Sequence, residues 1–259
     1  MNTKTITIRN ITLGSGMPKI CLPIVGNTIE EIHSQTEIIM QNPVDIVEWR
    51  ADLFAHTTDS SAVNEAIWAI RRIIRDTPLL YTIRTAREGG KSSLSFDQYA
   101  ALIQQASQNP LIDAVDIEIL SGSKDDVANL ISTMKQTAIV IASSHDFTRT
   151  PAKEELIERL CYMDACRADV CKLAVMPQSA EDVLTLLAAT AKARELINRP
   201  IITMSMGKLG LISRLCGEVF GSALTFGCAG QASAPGQIDA KELKAVLEIT
   251  HNNFVQNIY

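Results

Sequence analysis

From Ile20 onward, short apolar runs alternate with amphipathic stretches eight times, and this repeat leaves few architectures open. The apolar runs cover residues 20–25, 44–50, 79–84, 114–119, 139–144, 169–175, 201–206 and 222–226. The amphipathic stretches cover about 28–41, 60–75, 95–108, 124–136, 151–166, 179–197, 208–218 and 239–255. Strands that are apolar on both faces belong to parallel sheets covered by helices, and strand–helix alternation builds such a sheet. Eight units in a chain of 259 residues predict a closed (β/α)8 TIM barrel, one domain spanning 1–259, rather than an open doubly wound sheet. The open alternative also lacks its dinucleotide fingerprint, because Gly14-Ser15-Gly16 runs into Met17-Pro18-Lys19 with no third glycine and no helix. Ahead of the barrel, residues 4–13 alternate as a small hairpin turning at Arg9-Asn10.

The helices carry start signals. Thr28 with Glu31, Ser95 with Gln98 and Asp239 with Glu242 each place a capping side chain three residues before an acid or amide. Thr150-Pro151 followed by Glu154 and Glu155 predicts a helix with proline at its first position and negative charge in its first turn.

Composition narrows the partners. A net charge of −5 argues against nucleic acid or an anionic membrane surface. The sequence has no apolar run long enough to cross a bilayer, and residues 1–8 alternate like a strand instead of forming a signal peptide's apolar block. Six cysteines fit free thiols in a reducing compartment, so the expected location is the cytoplasm. Cys161, Cys166 and Cys171 are evenly spaced but lack a paired C-x-x-C or a nearby histidine, which argues against zinc.

Within the sixth apolar run stands Lys172, sharing a face with Val170 and Ala174 while Cys171, Leu173 and Val175 point the other way. Burial of a strand lysine favours a neutral amine able to attack a ketone and form an imine. The same segment fits a lysine paired with a buried carboxylate, or one reaching out from a strand end. Barrel active sites sit at the C-terminal strand ends, and polar residues concentrate there. Glu48 and Arg50 end the second run, Arg84 ends the third, and Arg87 and Glu88 follow it. Asp116 and Glu118 share a face of the fourth, His145-Asp146 closes the fifth, and Arg214 follows the seventh. A glycine- and serine-rich loop, 227–237, follows the eighth. Rim arginines suit a carboxylate or the hydroxyls of a small polyol acid, and their charge would help hold Lys172 neutral. His145 suits a proton shuttle, with a carboxylate such as Glu88 orienting its ring. Taken singly, each has a plainer reading: Glu48 and Arg50 as a structural pair, His145 as a satisfied polar group, Met204 as core filler. Gly89-Gly90-Lys91-Ser92 resembles a phosphate loop, but Thr85 occupies the place of the required first glycine.

Taken together, Glu48-Trp49-Arg50-Ala51-Asp52, Thr82-Ile83-Arg84, Asp116-Ile117-Glu118, Ser143-Ser144-His145-Asp146 and Lys172-Leu173-Ala174 resemble the type I 3-dehydroquinate dehydratases. So do Met204-Ser205-Met206-Gly207-Lys208, Ser213-Arg214 and the block from Gln231 to Gln237. The resemblance spans essentially the whole chain. It implies a Schiff-base hydro-lyase of the shikimate pathway that removes water from 3-dehydroquinate by syn elimination, giving 3-dehydroshikimate. It implies an imine on Lys172, proton transfer by His145 and positioning of His145 by Glu88. It also implies that Arg214 binds the substrate carboxylate, while Glu48, Arg50, Arg84, Ser233 and Gln237 contact hydroxyls and close the loop. Met204 and Phe226 would form the pocket wall. A homodimer without metal, nucleotide or other cofactor is the expected form. Ser144 departs from the Asn, His or Tyr usual before the histidine, but strand alternation turns it away from the site. A class I aldolase would also use a barrel lysine, yet no convincing phosphate loop follows the last two strands. A silent scaffold barrel would have no need of the lysine and the histidine.

Overall fold

The computed structural model describes residues 5–230 and 233–256. A hairpin of β1 (Ile6–Ile8) and β2 (Ile11–Leu13) precedes the eight barrel strands. These are β3 (Lys19–Ile24), β4 (Ile46–Arg50), β5 (Leu79–Thr82), β6 (Ala114–Glu118), β7 (Ile139–Asp146), β8 (Val170–Val175), β9 (Ile201–Ser205) and β10 (Leu224–Phe226). Helices α1 (Ile29–Ile39), α2 (Ser60–Ile74), α3 (Phe96–Ser107), α4 (Lys124–Met134), α5 (Lys153–Ala165) and α6 (Ala180–Leu196) alternate with them. Two short helices, α7 (Leu211–Leu215) and α8 (Gly217–Phe220), precede β10, and α9 (Ala240–Gln256) follows it. The strands pair in parallel in the order β10-β3-β4-β5-β6-β7-β8-β9, which is the expected (β/α)8 TIM barrel.

Side-chain alternation explains why the sheet rolls around this core. Outward residues such as Trp49, Tyr81, Ile117 and Leu173 pack with the helices. At the N-terminal end, the inward residues Cys21, Ile46, Leu80, Ile141, Val170 and Ile202 form an apolar plug with Ile8 and Leu13 of the hairpin. The hairpin turns where expected: Arg9 has φ of 52° and Ile8 pairs with Ile11, a two-residue turn. Arg9 Nε donates to Asp113 at 2.5 Å and clamps the hairpin to the barrel. Lys4, the expected first residue of the hairpin, lies outside the described residues.

Most helix starts follow their signals. Thr28 accepts the Glu31 N–H, Ser95 and Gln98 form a reciprocal capping box, and Asp239 accepts the Lys241 N–H. The start of α5 differs: it begins at Lys153 with Ala152 at the cap, so Pro151 precedes the helix instead of opening it. The single helix expected over 208–218 is two. A Cβ on Gly210 would lie 2.2 Å from the Ser205 carbonyl oxygen, so residues 208–210 cross the end of β9 before any helix starts. β7 runs two residues past 144, because His145 and Asp146 still pair with Ala174 and Val175 of β8. This puts His145 on the strand itself.

The ring closes between β9 and β10 through a side chain. Ser222 bridges Ile201, and the Ala223 N–H donates to the Ile201 carbonyl at 2.7 Å. Beyond that point the Ser222 hydroxyl accepts the Thr203 N–H at 3.0 Å, supplying the rung that backbone would otherwise make. Ser222 is buried, so Ser222→Ala leaves that N–H unpaired. The expected loss is about 1–3 kcal/mol of unfolding free energy, measured by urea denaturation; a change below about 0.5 kcal/mol, the range of inert surface substitutions, would contradict it.

Candidate active site

Above the apolar plug, the inward side chains turn polar. They surround a cavity at the C-terminal strand ends, lined by Glu48, Arg50, Arg84, His145, Lys172, Met204, Arg214, Phe226, Ser233 and Gln237. Every residue expected from the sequence therefore opens onto one space, except Glu88, which lies behind His145. Gln231 and Ala232 of the last motif fall outside the described residues.

Lys172 is 3% exposed, with its Nζ 3.1 Å from Asp116 Oδ2, 3.8 Å from Glu48 Oε1 and 4.6 Å from the centre of the Phe226 ring. The charged groups nearest this amine are carboxylates and not the rim arginines. The pairing reading of the strand segment thus describes the resting site, although the amine still faces the cavity. Asp116 also forms an ion pair with Arg84, Oδ1 to Nη2 at 2.9 Å, and accepts from the Ser143 hydroxyl at 2.6 Å. Burial alone would raise the Asp116 carboxyl, but the Arg84 and Lys172 charges outweigh it and hold it well below the usual range.

Glu88 ends a single turn of 3-10 helix, Ala86–Glu88, which places its carboxylate under β7. Its Oε2 accepts the His145 backbone N–H at 2.9 Å and lies 2.8 Å from the ring Nδ1. A backbone N–H only donates, so Oε2 acts as an acceptor and Nδ1 carries the ring proton. Nε2 is left with its lone pair, the form a general base needs. Burial, reinforced by Arg84 and Lys172, lowers His145 well below its ordinary value. Burial and the Glu118 charge push the Glu88 carboxyl up.

The arginines divide by partner. Arg84 is enclosed by Asp116, Glu118 at 2.8 Å and Glu88 at 3.5 Å. Burial would lower it, but these carboxylates raise it well above its ordinary value. Arg50 makes a two-pronged bond to Asp52 at 2.7 and 2.8 Å, not to Glu48, which instead accepts from the Thr82 hydroxyl at 2.9 Å. The Glu48–Arg50 structural pair is therefore not formed. Arg214 is 1% exposed and has no carboxylate partner among the described residues. Its Nη2 donates to the Pro235 carbonyl at 3.0 Å, its Nε is unpartnered, and burial brings it down to about 10. It remains charged at neutral pH.

The loop after β10 forms the remaining wall. Ser233 and Gln237 bond reciprocally, backbone N–H to Oε1 at 2.8 Å and Nε2 to hydroxyl at 2.9 Å. Gly236 has φ of 77°, and a Cβ there would meet the Gly207 carbonyl at 2.4 Å, so only glycine lets this loop lie against the one after β9. Ser144 faces outward as expected, and its hydroxyl accepts from Arg159 on α5 at 3.2 Å. Sequence reasoning noted Asp116 and Glu118 without giving them a place in the site, and it missed Phe147, which lines the cavity. The signal for the acids was present: two carboxylates at i and i+2 inside an otherwise apolar strand require buried cations.

Fold and cavity define a (β/α)8-barrel enzyme with an inward lysine beside an imidazole. The family model for type I 3-dehydroquinase matches residues 20–254. The 3-dehydroquinate dehydratase of Listeria monocytogenes is 48% identical over 250 residues, covering 96% of this chain and 99% of the relative. That of Salmonella agona is 48% identical over 249 residues, with the same coverage. Among solved structures, the Clostridium difficile type I enzyme with covalently modified comenic acid superposes with a TM-score of 0.92 at 44% identity, over 97% of this chain and 99% of that one. The Geobacillus kaustophilus enzyme gives 0.91 at 39% identity, over 96% and 97%. This chain belongs to the type I 3-dehydroquinase family, and with it to the hydro-lyases.

The depressed His145 makes a direct forecast. In the resting protein its ring is expected to titrate well below the ordinary value of 6.5. Histidine NMR over a pH series measures this, and a midpoint at or above 6.5 would contradict the burial argument.

Proposed function

We infer that this chain dehydrates 3-dehydroquinate to 3-dehydroshikimate, in the shikimate pathway, through an imine on Lys172. The observation that carries this reading is a buried amine and a buried neutral imidazole facing one cavity, with an arginine there that lacks a carboxylate among the described residues. Family membership supports the substrate.

The chemistry follows from the groups present. After Lys172 loses a proton, its Nζ attacks the substrate ketone; water leaves and a protonated imine forms. That cation takes over the carboxylate neighbours of the lysine. Asp116 stays ionised because its carboxyl is held low, so the iminium nitrogen keeps its proton and serves as the electron sink. The Phe226 ring face adds a cation–π contact. His145 Nε2 then takes the proton from the carbon next to the imine, giving an enamine. The enamine electrons return toward the ring as the hydroxyl on the following carbon leaves, receiving that proton from His145 as water. Proton removal and hydroxyl loss on the same face make the elimination syn. Water finally cleaves the iminium, releasing product and regenerating the Lys172 amine.

Arg214 is the group best suited to the substrate carboxylate. Its buried charge has no ion-pair partner among the described residues, and a carboxylate supplies one with forked geometry. Glu48, Arg50, Arg84, Ser233 and Gln237 are assigned the hydroxyls, with Met204 and Phe226 as apolar wall. In this reading a substrate draws loop 227–237 closed through Ser233 and Gln237.

Borohydride reduction in the presence of 3-dehydroquinate should leave a ligand-sized adduct on Lys172, located by peptide mass mapping. Turnover with Lys172 unmodified, or an adduct seen only with aldol substrates, would refute the imine. His145→Ala should still form the trapped imine but lose about 10²–10⁴-fold in turnover; near-normal turnover would remove His145 from its role.

A further inference from the structure

Glu88 carries the ring of His145, but nothing in β5 fixes the turn on which Glu88 sits. The ladder between β5 and β6 ends at Tyr81 and Val115, so backbone rungs to β6 stop before Arg84 and Thr85. Glu118, three residues farther along β6 and fully buried, takes over. Its Oε1 accepts from Arg84 Nη1 at 2.8 Å and from the Thr85 backbone N–H at 2.9 Å. Its Oε2 accepts from the Thr85 hydroxyl at 2.6 Å. Thr85 in turn starts the 3-10 turn: its carbonyl accepts the N–H groups of Glu88 at 3.0 Å and Gly90 at 2.8 Å. With its hydroxyl committed to Glu118, Thr85 makes no side-chain cap of its own.

These contacts form a continuous chain from Glu118 through Thr85 and Glu88 to the Nδ1 of His145. We propose that Glu118 is a positioning residue: by gripping both donors of Thr85, it locks the Glu88 turn and so sets the tautomer of His145. Glu118 does not line the cavity, and because it also pairs with Arg84, the Thr85 variants isolate this linkage from that ion pair. Its backbone N–H is itself anchored by the Tyr99 hydroxyl at 2.9 Å, so the grip starts from a rigid point between α3 and β6. The charged groups facing Glu88 are Arg84 after β5, Asp116 and Glu118 on β6, and His145 on β7.

The turnover part of this inference rests on the dehydratase reading; the tautomer part does not. The measurement is 15N NMR of histidine-labelled resting protein without substrate, with His145 assigned by its loss in His145→Ala. The wild-type ring should show a protonated Nδ1 and a bare Nε2. Glu118→Ala and Thr85→Val should each move it toward the Nε2-protonated form, while Thr85→Ser, which keeps the hydroxyl, should restore the wild-type spectrum. In parallel, Thr85→Val should lower kcat about tenfold with KM within about twofold, the pattern of a lost transition-state interaction, and Thr85→Ser should recover it. If Glu118→Ala does not fold, the two Thr85 variants decide. An unchanged tautomer in Thr85→Val, a Thr85→Ser as impaired as Thr85→Val, or a change in KM alone would overturn the proposal. If the wild-type protein fails to dehydrate 3-dehydroquinate, the function reading falls while the spectra still decide this one.

Discussion

Asp116 binds two cations and a hydroxyl at once, and the upper half of the barrel is built around that arrangement. Arg84, Lys172 and Ser143 reach it from three different strands or their ends. A charge this deep is costly unless paired and hydrogen-bonded. Asp116, Glu118, Glu48 and Glu88 provide that pairing for Arg84 and Lys172, and the two cations do the same for the acids. Removing one member strands another, so the cluster has to be read as a unit. Its consequence for chemistry is that the lysine rests as one partner of a buried pair, with carboxylates as its nearest charged neighbours.

The barrel separates stability from reactivity along its own axis. Toward the N-terminal end, Cys21, Ile46, Leu80, Ile141, Val170 and Ile202 meet the hairpin residues Ile8 and Leu13 and exclude water. Toward the C-terminal end, β4, β7 and β8 of that set carry Glu48, Ser143, His145 and Lys172, and β6 adds Asp116. One alternation pattern serves both halves, because each strand places every second residue inside. The apolar half supplies burial energy, and the polar half spends part of it on desolvated charge.

Three arginines near the cavity show why charge alone does not assign a role. Arg84 is surrounded by acids and Arg50 is held in two places by Asp52. Arg214 is buried, yet carbonyls and a thioether sulfur are its partners among the described residues. Only the last has an electrostatic deficit that an anionic ligand would fill.

Much of this protein was legible in its sequence. The eight alternations specify the barrel, because strands apolar on both faces need helices on both sides and eight such units in this length close the sheet, and the two-residue period puts Ser144 on the face opposite His145. The motifs around Lys172 and His145 also mark the family. Tertiary structure decided what periodicity does not encode. It set which carboxylate meets which cation, so Lys172 sits against Asp116 and Arg50 against Asp52. It let a serine side chain close the ring where strand β10 starts late. It also delayed the helix after β9 past Gly210, which must cross a carbonyl, and split it at Cys216. Such pairings depend on distances between strands far apart in the chain, and local pattern carries only the face of each residue, not its neighbour across the barrel.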